Sequence, residues 1–182
     1  DWKWISTIRA SHNSTTLLSL TDKQTYYDTY SFPSPGSPGT AVRLAPGQKV
    51  GQFYIWKYAG IDENGNWLLY DKDNNIIPAS EKTIDDKRYI GNSTPDLELS
   101  WDNSISWKNF DFNVFFRSWI GHDIFNMTQM YYGIQNVTGK NILTSALTTN
   151  GHIVGEKELC DYFLEDGTFL KLESLSVGYT LK

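Results

Sequence analysis

One cysteine and three scattered histidines in 182 residues close off several chemistries at once. Cys160 is alone, so no internal disulfide can form and no cysteine metal cluster is available. His12, His122 and His152 show no HxxxH or HxE spacing, which leaves zinc without a framework. No apolar run approaches the roughly 18 residues of a membrane-crossing helix. Positive charge is scarce as well. Sixteen Lys and Arg against 21 Asp and Glu give a net charge of −5 and a pI near 5.1, which argues against a nucleic-acid partner. Half of the six prolines sit together as Pro33, Pro35 and Pro38, ruling out a central strand there. The N-terminus has neither an initiating Met nor a signal-peptide pattern, so the chain is expected to be a fragment of a longer protein.

What the chain has in excess is aromatics, with seven Trp and eleven Tyr, and long alternating strands. In the stretch 96–107, Leu97, Leu99, Trp101, Ile105 and Trp107 alternate with Glu98, Ser100, Asp102, Ser104 and Ser106. A period of two held over a dozen residues is the mark of a strand with one apolar and one wet face. Lys108-Asn109 reads as a tight turn, with Asn109 the residue suited to positive φ. On the return, Phe110, Phe112, Val114 and Phe116 form the apolar row, and Phe115 breaks it, as a bulge or as an inward-facing aromatic. Each arm is about twice the usual strand of five or six residues and close to the roughly 9–11 that cross a bilayer at a tilt. Trp107 and Phe110 beside the turn and Trp119 at the far end stand where membrane interfaces gather aromatics. A soluble antiparallel sheet with one exposed face gives the same alternation.

The rest of the chain reads as shorter strands between long irregular segments. In 1–13, Trp2, Trp4, Ile8 and Ala10 share one face, opposite Lys3, Thr7, Arg9 and Ser11. Thr21–Lys49 reads as a loop with a cluster at Tyr26, Tyr27 and Tyr30. Gly51–Ile61 reads as one short aromatic strand, paired through the turn Asp62–Asn66 with Trp67–Asp71. The segments 72–95 and 122–165 show no sustained period. Irregular connections this long are unusual inside a compact soluble domain but ordinary outside a membrane barrel. In 167–182, Leu175, Val177, Tyr179 and Leu181 alternate with small polar residues, and a phase slip between Leu172 and Leu175 marks either a bulge or the level where the strand leaves the apolar band.

Five segments in order closely resemble the SusC/RagA type of TonB-dependent outer-membrane transporter: SHNSTTLLSL at 11–20, VGQFYIWKYAGIDENGNWLLYD at 50–71, DDKRYIGNSTPDLELSWDNSISWKNFDFNVFFR at 85–117, IFNMTQMYYG at 124–133 and DYFLEDGTFLKLESLSVGYTL at 161–181. The resemblance implies an all-β fold, an antiparallel part of a plugged barrel of about 22 strands. The plug domain, TonB box and signal peptide of the family are missing, and so is its usual tail. The chain is therefore expected to be an internal slice from the C-terminal half of the barrel. The implied strands lie near 1–13, 96–107, 110–119 and 167–182, with 108–109 in the periplasm and 21–95 and 120–166 as extracellular loops. The implied function is import of an oligosaccharide or peptide, with a SusD-like lipoprotein lid, TonB and outer-membrane lipid as partners. Neither a cofactor nor an enzymatic activity is implied.

Several stretches are candidates for sites. Asp62–Asn66 and Asp71–Asn75 are oxygen-rich like calcium loops, but the second lacks the central Gly and terminal Glu of an EF-hand, and ordinary turns use the same residues. Asp85, Asp86, Glu165 and Asp166 give no defensible glycosidase pair. Sequons begin at Asn13, Asn92, Asn126 and Asn136, and under a bacterial reading they are compositional. The functional signal lies in the loop aromatics Tyr26, Tyr27, Tyr30, Trp56, Tyr58, Trp67, Tyr70, Tyr131 and Tyr132, with Phe32 beside them. Flat rings with a polar tip suit stacking on a substrate or burial under a lid, and packing against one another is the competing reading. A soluble, secreted carbohydrate-binding β-sandwich is the alternative to the transporter, and it requires shorter strands with evenly spaced turns. A secreted glycoside hydrolase would need a larger scaffold.

Overall fold

The structure, a computed structural model, describes residues 2–21, 23–32, 38–135, 139 and 141–181. Its elements run β1 (Trp2–Ser11), β2 (Tyr27–Ser31), β3 (Thr40–Leu44), β4 (Gln52–Ile55), β5 (Lys57–Ile61), β6 (Trp67–Tyr70), β7 (Ile76–Pro78), β8 (Arg88–Asn92), β9 (Leu97–Trp107), β10 (Phe110–Ile120), β11 (Asp123–Phe125), α1 (Met127–Tyr132), β12 (Leu164–Asp166) and β13 (Phe169–Tyr179), with four short 3-10 turns between them. The fold is all-β with antiparallel pairing between its strands. Its residues divide into two units: 1–14, 94–123 and 166–182 form one, and 15–93 with 124–165 form the other.

The first unit is built on a four-stranded sheet in the order β1-β9-β10-β13. Its register sorts the residues by polarity. Trp2 faces Trp107, Trp107 faces Phe110, and Phe110 faces Tyr179, so one level of the sheet carries an aromatic on every strand. The Trp107 and Phe110 rings stack at 6.4 Å, and Phe110 meets Tyr179 at 4.7 Å. Above that girdle the same face continues through Trp4, Ile105, Phe112 and Val177, then through Ile8, Trp101, Phe116 and Leu172. The opposite face holds Lys3, Thr7, Arg9, Ser100, Asp102, Ser104, Asp111, Asn113, Arg117 and Lys171. Because side chains alternate along a strand, a slip of one residue would turn every apolar group to the polar face, so the alternation itself locks the pairing.

That apolar face is bare. Ile8 is 73% exposed and Val177 70%, and Trp2, Trp4, Leu175 and Tyr179 are each more than half exposed. A broad apolar surface on this scale has no place in water. It suits hydrocarbon, where sheets are stable only when their backbone groups are paired strand to strand. Polar groups interrupt it at two places: Ser118 lies between Leu99 and Leu170, and Ser6 faces Asn103 with two indoles over the pair. Trp4 Nε1 donates to Asn103 Oδ1 at 3.2 Å, and Trp101 Nε1 donates to Ser6 Oγ at 2.9 Å. The tryptophans thus give Asn103 Oδ1 and Ser6 Oγ a donor each, while Asn103 Nδ2 is buried without a partner.

Three local expectations resolve. Phe115 pairs in register with Asp102 and is an inward aromatic, while the bulge lies on β13, where Glu173 is the extra residue between the partners of Phe115 and Phe116. Positive φ at the turn falls on Lys108 (54°) rather than on Asn109, whose side-chain amide instead donates to Thr180 O at 2.9 Å. Trp119, expected in an outer aromatic girdle, pairs with Glu98 and Phe169 on the polar face, because an odd position on β10 shares the side of Arg117.

The second unit gives structure to segments that read as loops. A β2–β3 hairpin, a β4–β8 pair and a β5-β6-β7 meander are joined by α1 and the 3-10 turns. Their strands of three to five residues are too short to leave an alternation in the sequence. The single strand expected over 51–61 is two, broken at Trp56, whose backbone bridges to Cys160 while β4 and β5 join different sheets. A core of Phe32, Ile55, Trp67, Leu69, Met130, Ile134, Ile153, Leu159, Cys160 and Phe163 holds the unit together. Among the described residues no helix is long and apolar enough to cross a membrane, a fact that says nothing of strands.

Two outcomes follow for the full-length protein in its membrane. Val114→Arg on the apolar face should cost about 2–4 kcal/mol near the bilayer midplane, and Asn113→Arg on the other face should cost much less. The fraction of heat-modifiable, folded barrel in the outer membrane measures this. Lys108→Gly should slow unfolding of the hairpin, since glycine relieves about 1 kcal/mol of left-handed strain; an unchanged or faster rate would count against the strained turn.

Candidate functional site

The second unit brings together most of the aromatics that the sequence singled out, and it sorts them into buried and surface groups. Trp67 is the hub. It is 2% exposed, with Tyr58 at 5.9 Å, Tyr162 at 5.3 Å and Phe163 at 5.7 Å around its ring. Its Nε1 donates to Glu156 O at 2.7 Å, so even its polar tip is used inside. Trp56 is 8% exposed and donates to Thr83 O at 2.9 Å, with the Lys87 ammonium 4.4 Å from its ring. Neither indole has a free face for a ligand. The expectation that Trp56 and Trp67 contact substrate or lid does not fit these positions: an aromatic between short strands is drawn into whatever core those strands make. Tyr58 belongs to the same core, and burial pushes its phenol up from the usual range.

Tyr26, Tyr27 and Tyr132 reach the surface, and Tyr70 and Tyr131 are half-buried beside lysines. The Lys57 ammonium lies 5.2 Å from the Tyr70 ring, and Lys157 lies 5.2 Å from Tyr131. Tyr26 is held by chemistry the sequence did not announce. The Arg43 guanidinium sits between Tyr26 and Tyr54, 3.7 Å and 4.1 Å from their centroids, and binds Asp28 through two nitrogens at 2.6 Å and 2.8 Å. That bidentate bond holds the Asp28 carboxyl below its usual range and raises Arg43. The Tyr30 side chain and Asn136 lie outside the described residues.

The Asp62 and Asp71 loops fold alike. Asp62 Oδ1 accepts from the backbone N–H of Asn64 and Asn66, both at 2.8 Å, and Asp71 Oδ1 accepts from Asp73 and Asn75, both at 2.8 Å. The other carboxylate oxygens accept from Asn66 Nδ2 at 3.1 Å and Asn75 Nδ2 at 2.9 Å. With the oxygens turned to their own loops, these are Asx turns. Gly65 (φ 83°) is required in the first, since a Cβ there would stand 2.5 Å from His152 O.

Beside the first loop is a cleft of about 400 Å³, lined by Asp62, Asn66, Ser80, Lys82, Glu156 and Glu158, with one edge of Trp67 at its base. Lys82 Nζ meets Glu158 Oε1 at 2.8 Å, and burial pushes the Glu158 carboxyl up despite that partner. Charged acceptors, an amide and a lysine around an aromatic edge can hydrogen-bond a polar solute, sugar or peptide alike. Sequence reading missed Lys82, Glu156 and Glu158. Their only trace is the charged runs SEK and GEKE around them.

No family model matches the chain. Over its whole length it is 28% identical to TonB-dependent receptor P3 of Formosa agariphila, covering 20% of that protein, and 23% identical to TonB-dependent receptor SusC of Bacteroides thetaiotaomicron, covering 18%. The chain thus spans about a fifth of the length of these curated relatives. Among solved structures, the RagAB peptide importer in its closed-closed state matches the whole chain with a TM-score of 0.74 at 22% identity, again over 21% of the matched chain. The RagAB peptide transporter matches 98% of it at 0.69 and 21% identity.

Lys87 gives this unit a pH signature. Burial pushes its ammonium down to about 8 from 10.5, with its Nζ donating to Thr40 O at 2.9 Å. Between those values the unfolded segment holds a proton that the folded one does not, so stability rises with pH from about 8 to about 10.5, by at most about 3 kcal/mol. Below about 8 both states are protonated and the penalty is constant. The protection of amides over 83–92 in the full-length protein, taken relative to their base-catalysed intrinsic exchange rate, should rise across that window, and in Lys87→Met that rise should vanish. A wild-type profile matching that of the variant would refute the buried ammonium. Trp67→Ala should cost about 3–5 kcal/mol and unfold the unit locally, whereas Tyr26→Ala should leave exchange in the core unchanged.

Proposed function

We propose that the chain is a piece of a SusC/RagA-type TonB-dependent barrel of the bacterial outer membrane, and that the whole protein imports a nutrient, an oligosaccharide or a peptide, beneath a SusD-like lipoprotein lid and with TonB supplying the energy. The observation that carries the reading is the two-faced sheet β1-β9-β10-β13, apolar and exposed on one side and polar on the other. A barrel wall needs that division, with lipid outside and water inside. A carbohydrate-binding sandwich would instead bury the apolar face against a second sheet.

The topology supports an external mouth. Lys108-Asn109 is the two-residue turn at one end of the sheet, and both long connections, 12–96 and 121–168, leave from the other end. With short turns in the periplasm, those connections are extracellular. The second unit is then the mouth. Its surface tyrosines Tyr26, Tyr27 and Tyr132, with Tyr131 half-buried beside them, contact solute or lid, while Trp56 and Trp67 hold that surface in shape. No catalytic step is assigned to any residue.

The test is uptake by cells carrying the full-length protein, beside its surface expression. Paired replacements Tyr26→Ala with Tyr27→Ala, and Tyr131→Ala with Tyr132→Ala, should lower uptake about fivefold or more at normal expression, one stacking contact being worth about 1 kcal/mol. Normal uptake in both pairs, or labelling of a cysteine at Asn109 from outside the cell, would overturn the mouth assignment.

A further inference from the structure

The polar face of the four-stranded sheet is sorted by level as well as by side. One register level carries Arg9, Ser100, Arg117 and Lys171 on β1, β9, β10 and β13, three cations on four neighbouring strands. The level above holds Ser11, Glu98, Trp119 and Phe169, and the level below holds Thr7, Asp102 and Phe115, with the bulged Glu173 beside it. Glu173 Oε2 serves two of the cations, lying 3.2 Å from Arg117 and 3.4 Å from Lys171. Arg9 forms no ion pair among the described residues, and the Arg117 Nε is buried without a hydrogen-bond partner. The Arg117 guanidinium is steadied by the rings of Trp119 at 5.2 Å and Phe169 at 5.7 Å. Between Arg9 and Arg117 lies a cavity of about 260 Å³, lined also by Ser11, Glu98, Ser100 and Trp119.

We infer that this level is an oxyanion subsite on the transport path, taking a carboxylate or sulfate group carried by the passing solute. A guanidinium presents several donors in a plane, and the Arg117 side chain, 36% exposed, keeps part of that fork open to the cavity. Arg9 adds a second cation across the cavity. Ser11 and Ser100 supply hydroxyls, Trp119 supplies a stacking wall, and Glu98 accepts from a hydroxyl or ammonium of the same solute. Arg117 stands seven residues along β10 from the turn, about 24 Å of strand, so the subsite lies toward the sheet end where the long connections leave. The inference rests on the importer reading and adds to it the charge of the solute. Two sources share the chemistry, an acidic oligosaccharide and an acidic peptide.

The experiment uses the purified full-length protein and measures equilibrium binding rather than uptake, so a failed importer reading would show in cells and not here. The probes are tetragalacturonate against galactotetraose and tetraglutamate against tetraglutamine. One acidic probe should bind about tenfold or more tightly than its neutral counterpart, as charge-assisted bonds allow, and the preference should shrink with added salt. Which acid is preferred names the source. Arg9→Gln with Arg117→Gln should abolish the preference, so that acidic and neutral probes bind alike, and Arg117→Lys should retain part of it. Because Arg117 also pairs with Glu173, Arg9→Gln alone serves as the variant that leaves the sheet intact, and it should remove part of the preference. No preference for either acid, or a preference that survives the double replacement, would overturn the subsite.

Discussion

Everything in the first unit depends on one constraint: a sheet placed between lipid and water must present a different solvent with each alternate residue. The pairing of β1, β9, β10 and β13 meets it across ten levels or more, and register is what makes it possible. Backbone hydrogen bonds run strand to strand, and the side chains take care of both solvents. Where the apolar face carries a polar pair, at Ser6 and Asn103, tryptophan N–H groups close over its two oxygens and leave Asn103 Nδ2 buried without a partner. The girdle of Trp2, Trp107, Phe110 and Tyr179 stands at the level where the apolar band would meet headgroups.

The second unit obeys the opposite rule. Its strands are short, its turns are capped by Asp62 and Asp71, and its stability comes from an interior gathered around Trp67. Segments that carry only three to five residues of strand at a time still build a core when enough of them converge, with Trp67 and Phe163 its largest fully buried side chains. This explains how segments of such short strands present the Tyr26–Arg43–Tyr54 stack and a polar cleft.

The two units were unequally legible in the sequence. A period of two over eleven residues is a signal that little else produces, so β9, β10 and their turn could be read directly, while the phase slip in β13 needed the register to identify it as a bulge. The facing of Trp119 went astray because an aromatic near a strand end looks the same on either side until the register is known. In the second unit, Val42, Ile55 and Leu69 sit in strands too short to alternate visibly, and the hairpin over 27–44 was hidden by the prolines inside its loop. Aromatic content drew attention to Trp56 and Trp67, but composition cannot tell a ring that holds a core from one that meets a ligand. Lys82, Glu156 and Glu158 come together only through the fold, as do Arg9 and Arg117 from strands more than a hundred residues apart.

The central claim is that one face of this sheet meets lipid and the other meets water. The most direct measurement places a nitroxide label in turn at 110 through 116 of the full-length protein in bilayers and compares collisions with oxygen and with a water-soluble nickel chelate. Labels at 110, 112, 114 and 116 should favour oxygen and those at 111, 113 and 115 the chelate, with a period of two. Equal access of the chelate to both sets, or the inverse alternation, would contradict the membrane-facing sheet.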